Sequence, residues 1–157
     1  MKKIDSLNQV AEFHKTFDAP ILEKPTIPSE ERCQLRVSLL QEELNELKEA
    51  IENKDIVEIA DALCDIQYVL SGAVLEFGLG DKFHKLFNEV QRSNMSKACE
   101  SIQEATETTS HYKQKDGTES HFNKINGKWV VYRTSDNKVL KSINYSPANL
   151  KKILNKK

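Results

Sequence analysis

Nine carboxylates crowd residues 42–65 of this chain, which hold only two basic residues. The same stretch has the clearest helical spacing of apolar residues, so its acids share a face that should pack against another helix. On a helical wheel, Glu42, Glu43 and Glu46 fall in this apolar sector. Carboxylates clustered out of water repel one another, and a divalent cation relieves that repulsion. Oxygen donors without His or Cys predict Mg²⁺ or Mn²⁺ rather than zinc.

A second acidic edge follows on the next predicted helix. Asp61 and Asp65 lie one turn apart at the margin of its broad apolar face, and Glu58 lies one turn before Asp61. For Glu58 the sequence favours neither of two interpretations, a metal ligand or a solvated acid. Glu76 lies about three turns beyond Asp65 and is expected to be solvated. A solvated acidic face with i,i+4 pairs is the alternative, but basic partners are scarce here.

Two long helices must position these acids. We predict the first from Ser29, its N-cap, to about Asn53, and the second over about 56–77. A shorter helix over 5–17 precedes them, and Asp81 begins another. The connector over 18–28 holds three prolines and should be extended.

The character of the chain changes near residue 98. Residues 99–118 lack an apolar period and predict a polar linker after a helical domain over 1–98. Residues 119–157 predict a small appendage with an Asn-Gly hairpin, a third strand, and a short helix over about 147–155. The predicted fold class is mainly α, a helical core with a small antiparallel β-meander and helix at the C-terminus.

The charge distribution and the cysteine spacing limit the possible functions and locations of the protein. The net charge of −1 says little about partners, but residues 111–157 carry eleven Lys and Arg against three acids. The three cysteines are widely spaced, which predicts reduced thiols in the cytoplasm. The longest apolar stretch is too short and too polar to span a bilayer, so we expect no membrane.

The sequences EELNE, DALCDIQYVLSGAVLEFG and EVQRSNMSK, with the opening EFHKTFDAP, resemble the all-α nucleoside triphosphate pyrophosphohydrolases over about residues 5–98. That superfamily includes MazG-like proteins, dimeric dUTPases and phosphoribosyl-ATP pyrophosphohydrolases. The Glu of its E-x-x-D pattern falls on Ala62 here. Asp61 could supply the missing carboxylate beside Asp65, although a literal E-x-x-D also stands at Glu58 and Asp61. We favour Asp61, because Asp65 is followed by the matching apolar run.

The resemblance implies a hydrolase that is Mg²⁺-dependent and cleaves a (d)NTP between the α and β phosphates to (d)NMP and pyrophosphate, in nucleotide-pool house-cleaning. The expected metal-site residues are Glu42, Glu43, Glu46, Glu58, Asp61 and Asp65. Among them Glu43 and Glu46 are the catalytic candidates, and Glu43 is either a ligand or the base that activates water. A weak leaning by resemblance is towards dUTP, dUDP or dCTP.

Substrate contacts and assembly are also implied. Lys97 resembles a phosphate-binding lysine and Asn94 a nucleotide contact, with helix capping as their alternative role. Arg92 is a weaker candidate, and Tyr68 either lines the base or sugar pocket or simply packs. A homodimer or homotetramer is expected. The rival is a non-catalytic helical oligomer that binds nucleotide or nucleic acid through its basic tail, although terminal lysines more often only solubilise, so nucleic acid is not favoured.

Overall fold

The computed structural model describes residues 4–155, so the outermost ends of the predicted domains, residues 1–3 and 156–157, lie outside it. The described chain forms two compact units that divide between His84 and Lys85, earlier than the boundary expected near residue 98. The mainly helical fold class with a small C-terminal antiparallel sheet and a short helix is confirmed. Its elements are α1 (Ser6–Thr16), α2 (Glu30–Asn53), α3 (Ile56–Glu76), α4 (Gly80–Met95), α5 (Ile102–Asp116), β1 (Ser120–Ile125), β2 (Lys128–Arg133) and α6 (Leu150–Leu154).

A two-residue turn joins α2 to α3. The Ser29 hydroxyl caps the start of α2, accepting a hydrogen bond from the Arg32 N–H at 3.4 Å. At the other end Lys54 adopts the left-handed conformation that stops the helix, and the Asp55 carboxylate accepts from the first N–H groups of α3. So short a turn makes α2 and α3 antiparallel neighbours, and they pack together along their lengths.

The proline-containing connector binds the end of α3. The backbone N–H of Leu22 donates to the Leu75 carbonyl and that of Thr26 to the Phe77 carbonyl, both at 3.1 Å. Gly78 turns the chain away with a φ of +65°, and a Cβ there would lie 1.9 Å from the Lys24 carbonyl oxygen. The connector contains no helix, as its prolines predict, and it is fixed to the helix whose last turn it satisfies.

A buried ionic network joins α1, α2 and α3. Glu76 is only 1% exposed and is paired with both Arg32 and Arg36. Arg36 also reaches His14 Nε2 at 3.4 Å, while His14 Nδ1 donates to the Pro20 carbonyl at 2.9 Å. A Cβ on Gly72 would lie 2.7 Å from an Arg36 nitrogen, so this glycine leaves room for the guanidinium.

The prediction that Glu76 is solvated is wrong. Three turns along α3 return it to the stripe that carries Asp65, and that stripe faces α2. Burial alone would raise the pKa of Glu76, but hydrogen bonds and charge from Arg36 and Arg32 outweigh burial and hold the pKa below its usual value. Glu76 is therefore a structural anion within the helical unit.

The predicted polar linker over 99–118 is largely helix α5. Ser101 caps this helix by accepting from the Glu104 N–H at 3.1 Å, and Gly117 ends it. Its buried residues are only Ala105 and Thr108, which are too small and too polar to give an apolar period. Ala105 packs in a small core with Cys99, Val131 and Leu140, and the Thr108 hydroxyl lies 3.6 Å from Cys99 Sγ.

The hairpin is confirmed, and its turn residues Asn126 and Gly127 both have positive φ, as the Asn-Gly signal predicts. The expected third strand is reduced to one bridge between Tyr132 and Val139. The last helix begins after Asn149, its cap, later than predicted, because the Ser146 and Pro147 carbonyls are bound by Arg92.

No single helix in residues 4–155 has the length and apolarity to cross a membrane.

We predict that Glu76→Gln lowers the free energy of unfolding by about 3–5 kcal/mol, because two guanidinium groups would lose their buried counter-charge. Urea denaturation followed by circular dichroism measures the change. The control is Glu52→Gln on α2, whose carboxylate is 67% exposed and 3.9 Å from Lys48. That change should cost less than about 1 kcal/mol. Equal losses in the two variants would refute a structural role for Glu76.

Candidate functional site

Glu43 stands at the centre of the acids predicted from the sequence. It is half-buried on α2, and its Oε2 atom has no hydrogen-bond partner within the described chain. Burial raises the pKa of Glu43, and four neighbouring carboxylates raise it further; in order of effect they are Glu46, Asp65, Glu42 and Asp61. The structure therefore brings five acids from two helices into one electrostatic neighbourhood. We call this set the acidic group (Glu42, Glu43, Glu46, Asp61 and Asp65).

The acidic group is open to solvent on one side. Glu42, Glu46 and Asp61 are exposed, whereas Asp65 is half-buried like Glu43. The half-buried carboxylates Glu43 and Asp65 are partly removed from water, which strengthens the repulsion among the acids. The exposed carboxylates leave a path by which a charged ligand can approach. The helical wheel placed these acids beside an apolar stripe. Glu43 and Asp65 are partly buried as that placement implies, whereas Glu42, Glu46 and Asp61 are exposed.

A cleft of about 350 Å³ adjoins the acidic group at the α2–α3 turn. Glu46 belongs to the acidic group and also lines the cleft. Glu58 lines the cleft but is not among the carboxylates that raise the pKa of Glu43. Sequence reasoning missed Glu49 as a lining residue, although it follows Glu46 by three residues and so lies on nearly the same side of α2. The full lining is Glu46, Glu49, Ala50, Asn53, Asp55 and Glu58.

The donor chemistry of the acidic group fits a hard divalent cation. Its members offer carboxylate oxygens alone, and the unpartnered Glu43 oxygen is an acceptor without a donor. As they stand, no three His, Cys, Asp or Glu side chains in residues 4–155 form a ready-made metal site. The carboxylates are therefore near enough to repel but not closed into a coordination shell. Such a set suits Mg²⁺, which keeps several waters and takes further oxygens from phosphates.

An apolar pocket of about 440 Å³ lies between α1 and α3. Tyr68 lines it, 39% exposed, with its ring edge-to-face against Phe13 at 5.6 Å. Asp61, Asp65 and Tyr68 follow one another along one side of α3, so the pocket lies on the same side of the helix as two of the acids. The lining residues are Ile4, Ser6, Gln9, Val10, Leu63, Cys64, Gln67 and Tyr68.

The long helices leave large apolar side chains uncovered. Leu44 and Ile51 on α2 are 50% and 55% exposed in the single chain. Exposed apolar residues continue along α3, including Leu63 at 52%. Large apolar side chains exposed along two neighbouring helices are typical of a protein–protein interface.

Arg92 is engaged within the second unit, which begins at Lys85. Its guanidinium makes two hydrogen bonds to Glu89 (2.8 and 2.9 Å) and donates to the Pro147 carbonyl at 3.0 Å. Hydrogen bonds from Arg92 and from the Asn149 N–H lower the pKa of Glu89 to about 2. The predicted substrate contact Arg92 therefore clamps the C-terminal segment in this structure.

Asn94 and Lys97 contact each other. Lys97 Nζ donates to Asn94 Oδ1 at 2.8 Å, and Asn94 is exposed. Neither side chain has an acidic partner within ion-pair distance in residues 4–155. The Lys97 ammonium therefore has the neutral Asn94 as its hydrogen-bond partner, and its contact with a substrate phosphate stays a prediction.

Comparison with known proteins adds a family. Residues 10–94 match the family model described as phosphoribosyl-ATP pyrophosphohydrolase, and this range contains the whole acidic group. The chain is also similar to a protein of Acanthamoeba polyphaga mimivirus, named Uncharacterized protein L479. The identity is 25% over 243 aligned positions, which cover 98% of this chain and 97% of the viral protein.

We predict that Glu43→Gln stabilises the cation-free protein by about 0.5–1 kcal/mol, the scale of single charge interactions near a surface. Because the pKa of Glu43 is raised in the folded state, wild-type stability should fall as pH rises from the usual carboxyl pKa through the raised one. The difference between the two proteins should therefore widen with rising pH. Thermal denaturation in EDTA over a range of pH measures it.

The control for general charge is Glu12→Gln, an exposed acid on α1. Its thermal stability should track that of the wild type across the same pH range. If Glu43→Gln were destabilising in EDTA at every pH, repulsion within the acidic group would be refuted.

Proposed function

Because its family model covers more than half of it, the chain belongs to the phosphoribosyl-ATP pyrophosphohydrolase family, and we propose that it cleaves nucleoside triphosphates between the α and β phosphates. The family supports a nucleotide pyrophosphohydrolase activity in general, which is hydrolysis of a phosphoric anhydride. Our proposal is narrower: a Mg²⁺-dependent enzyme that converts a (d)NTP to (d)NMP and pyrophosphate and so removes unwanted nucleotides from the pool. Its three cysteines are unpaired, which supports the proposed cytoplasmic setting.

One observation carries the proposal, the convergence of four carboxylates on Glu43. We assign Glu42, Glu46 and Asp65 as the main ligands of Mg²⁺ (Mn²⁺ as a substitute), with Asp61 supporting them. Bound there, the cation would neutralise the triphosphate and polarise the reacting phosphorus. Glu58 lines the adjoining cleft with Glu46 and would extend the acidic surface to further cations or waters.

Glu43 is our candidate for the general base. Its raised pKa brings the carboxylate closer to the pKa that favours proton acceptance near neutral pH, and its free Oε2 can take a hydrogen bond from water. In the proposed step, the water oxygen bonds to phosphorus, its proton passes to Glu43 Oε2, and the bond between phosphorus and the bridging oxygen breaks. Glu46 is exposed beside Glu43, and in this proposal its carboxylate orients the attacking water.

The substrate's base or sugar is assigned to the apolar pocket that contains Tyr68. An aromatic ring held by Phe13 gives a flat apolar wall, and Gln9 and Gln67 add amide groups that can hydrogen-bond a base. Lys97 and Asn94 are proposed as phosphate and nucleotide contacts on the strength of their motif. The first substrates to test are dUTP, dUDP and dCTP.

We predict that Glu46→Gln and Asp65→Asn each reduce pyrophosphate release by at least about 100-fold while the helices remain. Asp61→Asn should reduce turnover more than Glu58→Gln, because Asp61 belongs to the acidic group and Glu58 does not. The measurement is a panel of (d)NTPs with Mg²⁺, scored for pyrophosphate against phosphate, with circular dichroism as the folding check.

The control is Glu52→Gln, an exposed acid of α2 outside the acidic group, which should keep wild-type turnover. Undiminished activity in both Glu46→Gln and Asp65→Asn would refute the assignment. Binding of nucleotides without release of either product would favour the non-catalytic rival.

We propose further that the exposed apolar sides of α2 and α3 are covered by another copy of the chain, as a homodimer or homotetramer. Leu44→Lys should weaken self-association by about tenfold or more, since it places a charge on that surface. Asn45→Lys, the same charge on an exposed polar residue, should change it little. Light scattering coupled to size exclusion measures the mass, and a fully active wild-type monomer would refute this assembly.

A further inference from the structure

The second unit contains an open pocket of about 400 Å³. All of its lining residues lie outside residues 10–94, the range of the family match. Helix α5 supplies one wall, and the segment after the Val139 bridge supplies the other. We call it the basic pocket; its lining is His111, Tyr112, Lys141, Ser142, Ile143 and Tyr145. Its volume is within the usual range for a small-molecule site.

The walls of the basic pocket are fixed by hydrogen bonds. The Ile143 N–H donates to the Thr108 hydroxyl at 3.2 Å, and the Ser142 N–H donates to the Lys97 carbonyl at 3.1 Å. The Ser142 hydroxyl is bound to Glu104, which also accepts from the Glu100 N–H. The pocket is therefore preformed, and the acid bonded to its wall is already satisfied.

Lys141 is the free cation of the lining. In the described chain no carboxylate lies within ion-pair distance of its ammonium, which instead sits over the Tyr145 ring, 4.5 Å from the centroid. A ring contact of an exposed ammonium is weaker than a charge-assisted hydrogen bond to phosphate, so an entering phosphate can draw Lys141 from the ring. Residues 85–157 carry fourteen Lys and Arg against seven Asp and Glu, which favours approach of an anion.

The tyrosines supply flat surfaces beside this cation. The Tyr145 hydroxyl is 3.0 Å from the Ser93 hydroxyl, and Tyr112 packs against the core of the second unit, so both rings are held in place. Lys115 lies over Tyr112 at 5.9 Å and adds a second positive charge at the rim. Aromatic faces next to lysines are the means by which proteins hold a base and its phosphate without reading sequence.

We infer that the basic pocket binds a nucleotide unit, with the phosphate on Lys141 beside His111 and the base against Tyr112 or Tyr145. None of its lining residues belongs to the acidic group, and the inference does not depend on the proposed hydrolysis. A nucleotide unit can come from a free nucleotide or from a single-stranded nucleic acid, and both offer the same base and phosphate.

The test uses the full chain in EDTA, where the acidic group repels phosphates. The probes are dTMP and oligodeoxythymidylate of about eight nucleotides, titrated with amide chemical shifts as the readout. Shifts should be centred on His111, Tyr112 and residues 141–145. Lys141→Ala should weaken binding by about tenfold. The matched control is Lys124→Ala, which removes a lysine from over the Trp129 ring at 5.8 Å and should change binding less than about twofold.

The outcomes are distinguishable. Shifts with both probes support a nucleotide site, and shifts with the oligomer alone support the single-stranded source. No shifts in the basic pocket, equal losses in Lys141→Ala and Lys124→Ala, or an equal response to inorganic phosphate would overturn the inference. Pyrophosphate release from dNTPs, measured separately on Lys141→Ala with Mg²⁺, should stay near that of the wild type, so failure here leaves the proposed function untouched.

Discussion

The antiparallel pairing of α2 with α3 sets opposite charges against each other at one end and like charges at the other. Arg36 and Glu43 are seven residues apart on α2, about two turns, and therefore lie on one face. Asp65 and Glu76 are eleven residues apart on α3, about three turns, and share a face in the same way. Arg36 meets Glu76 as an ion pair, so Glu43 falls among Asp65 and Asp61. A shift of register would undo both arrangements together.

The two ends differ in what they contribute. At the Glu76 end, two arginines pair with one carboxylate and a histidine contacts one of these arginines, and breaking such a buried pair is costly. At the Glu43 end, burial and four acids oppose ionisation of one carboxyl group. Clusters of like charge oppose stability in this way, and the fold must stabilise them from elsewhere. Here the compensating contact lies on the same two helices.

Much of the fold could be predicted from the sequence because its signals are local. The cap at Ser29, the apolar periodicity and the Asn-Gly turn each act over a few residues. Helix α5 was missed because its buried contacts come from Ala105 and Thr108, which leave no apolar pattern. Glu76 was misplaced because its partners are 40 and 44 residues away, and no wheel of a single helix shows them. The acids of α2 and α3 could be gathered from the wheel, but only the packing separated Asp61, near Glu43, from Glu58 in the cleft.

The turn at Lys54 and Asp55 also shapes the order of folding. Bringing together the ends of a long loop is entropically unfavourable, whereas this turn closes over two residues and needs almost no such ordering. Once it forms, we expect each further contact between α2 and α3 to need only a short additional loop closure, starting from the hydrogen bond between the Asp55 N–H and the Ala50 carbonyl. Arg36 and Glu76, although 40 residues apart in sequence, are then brought together by short successive steps rather than by a search of the open chain.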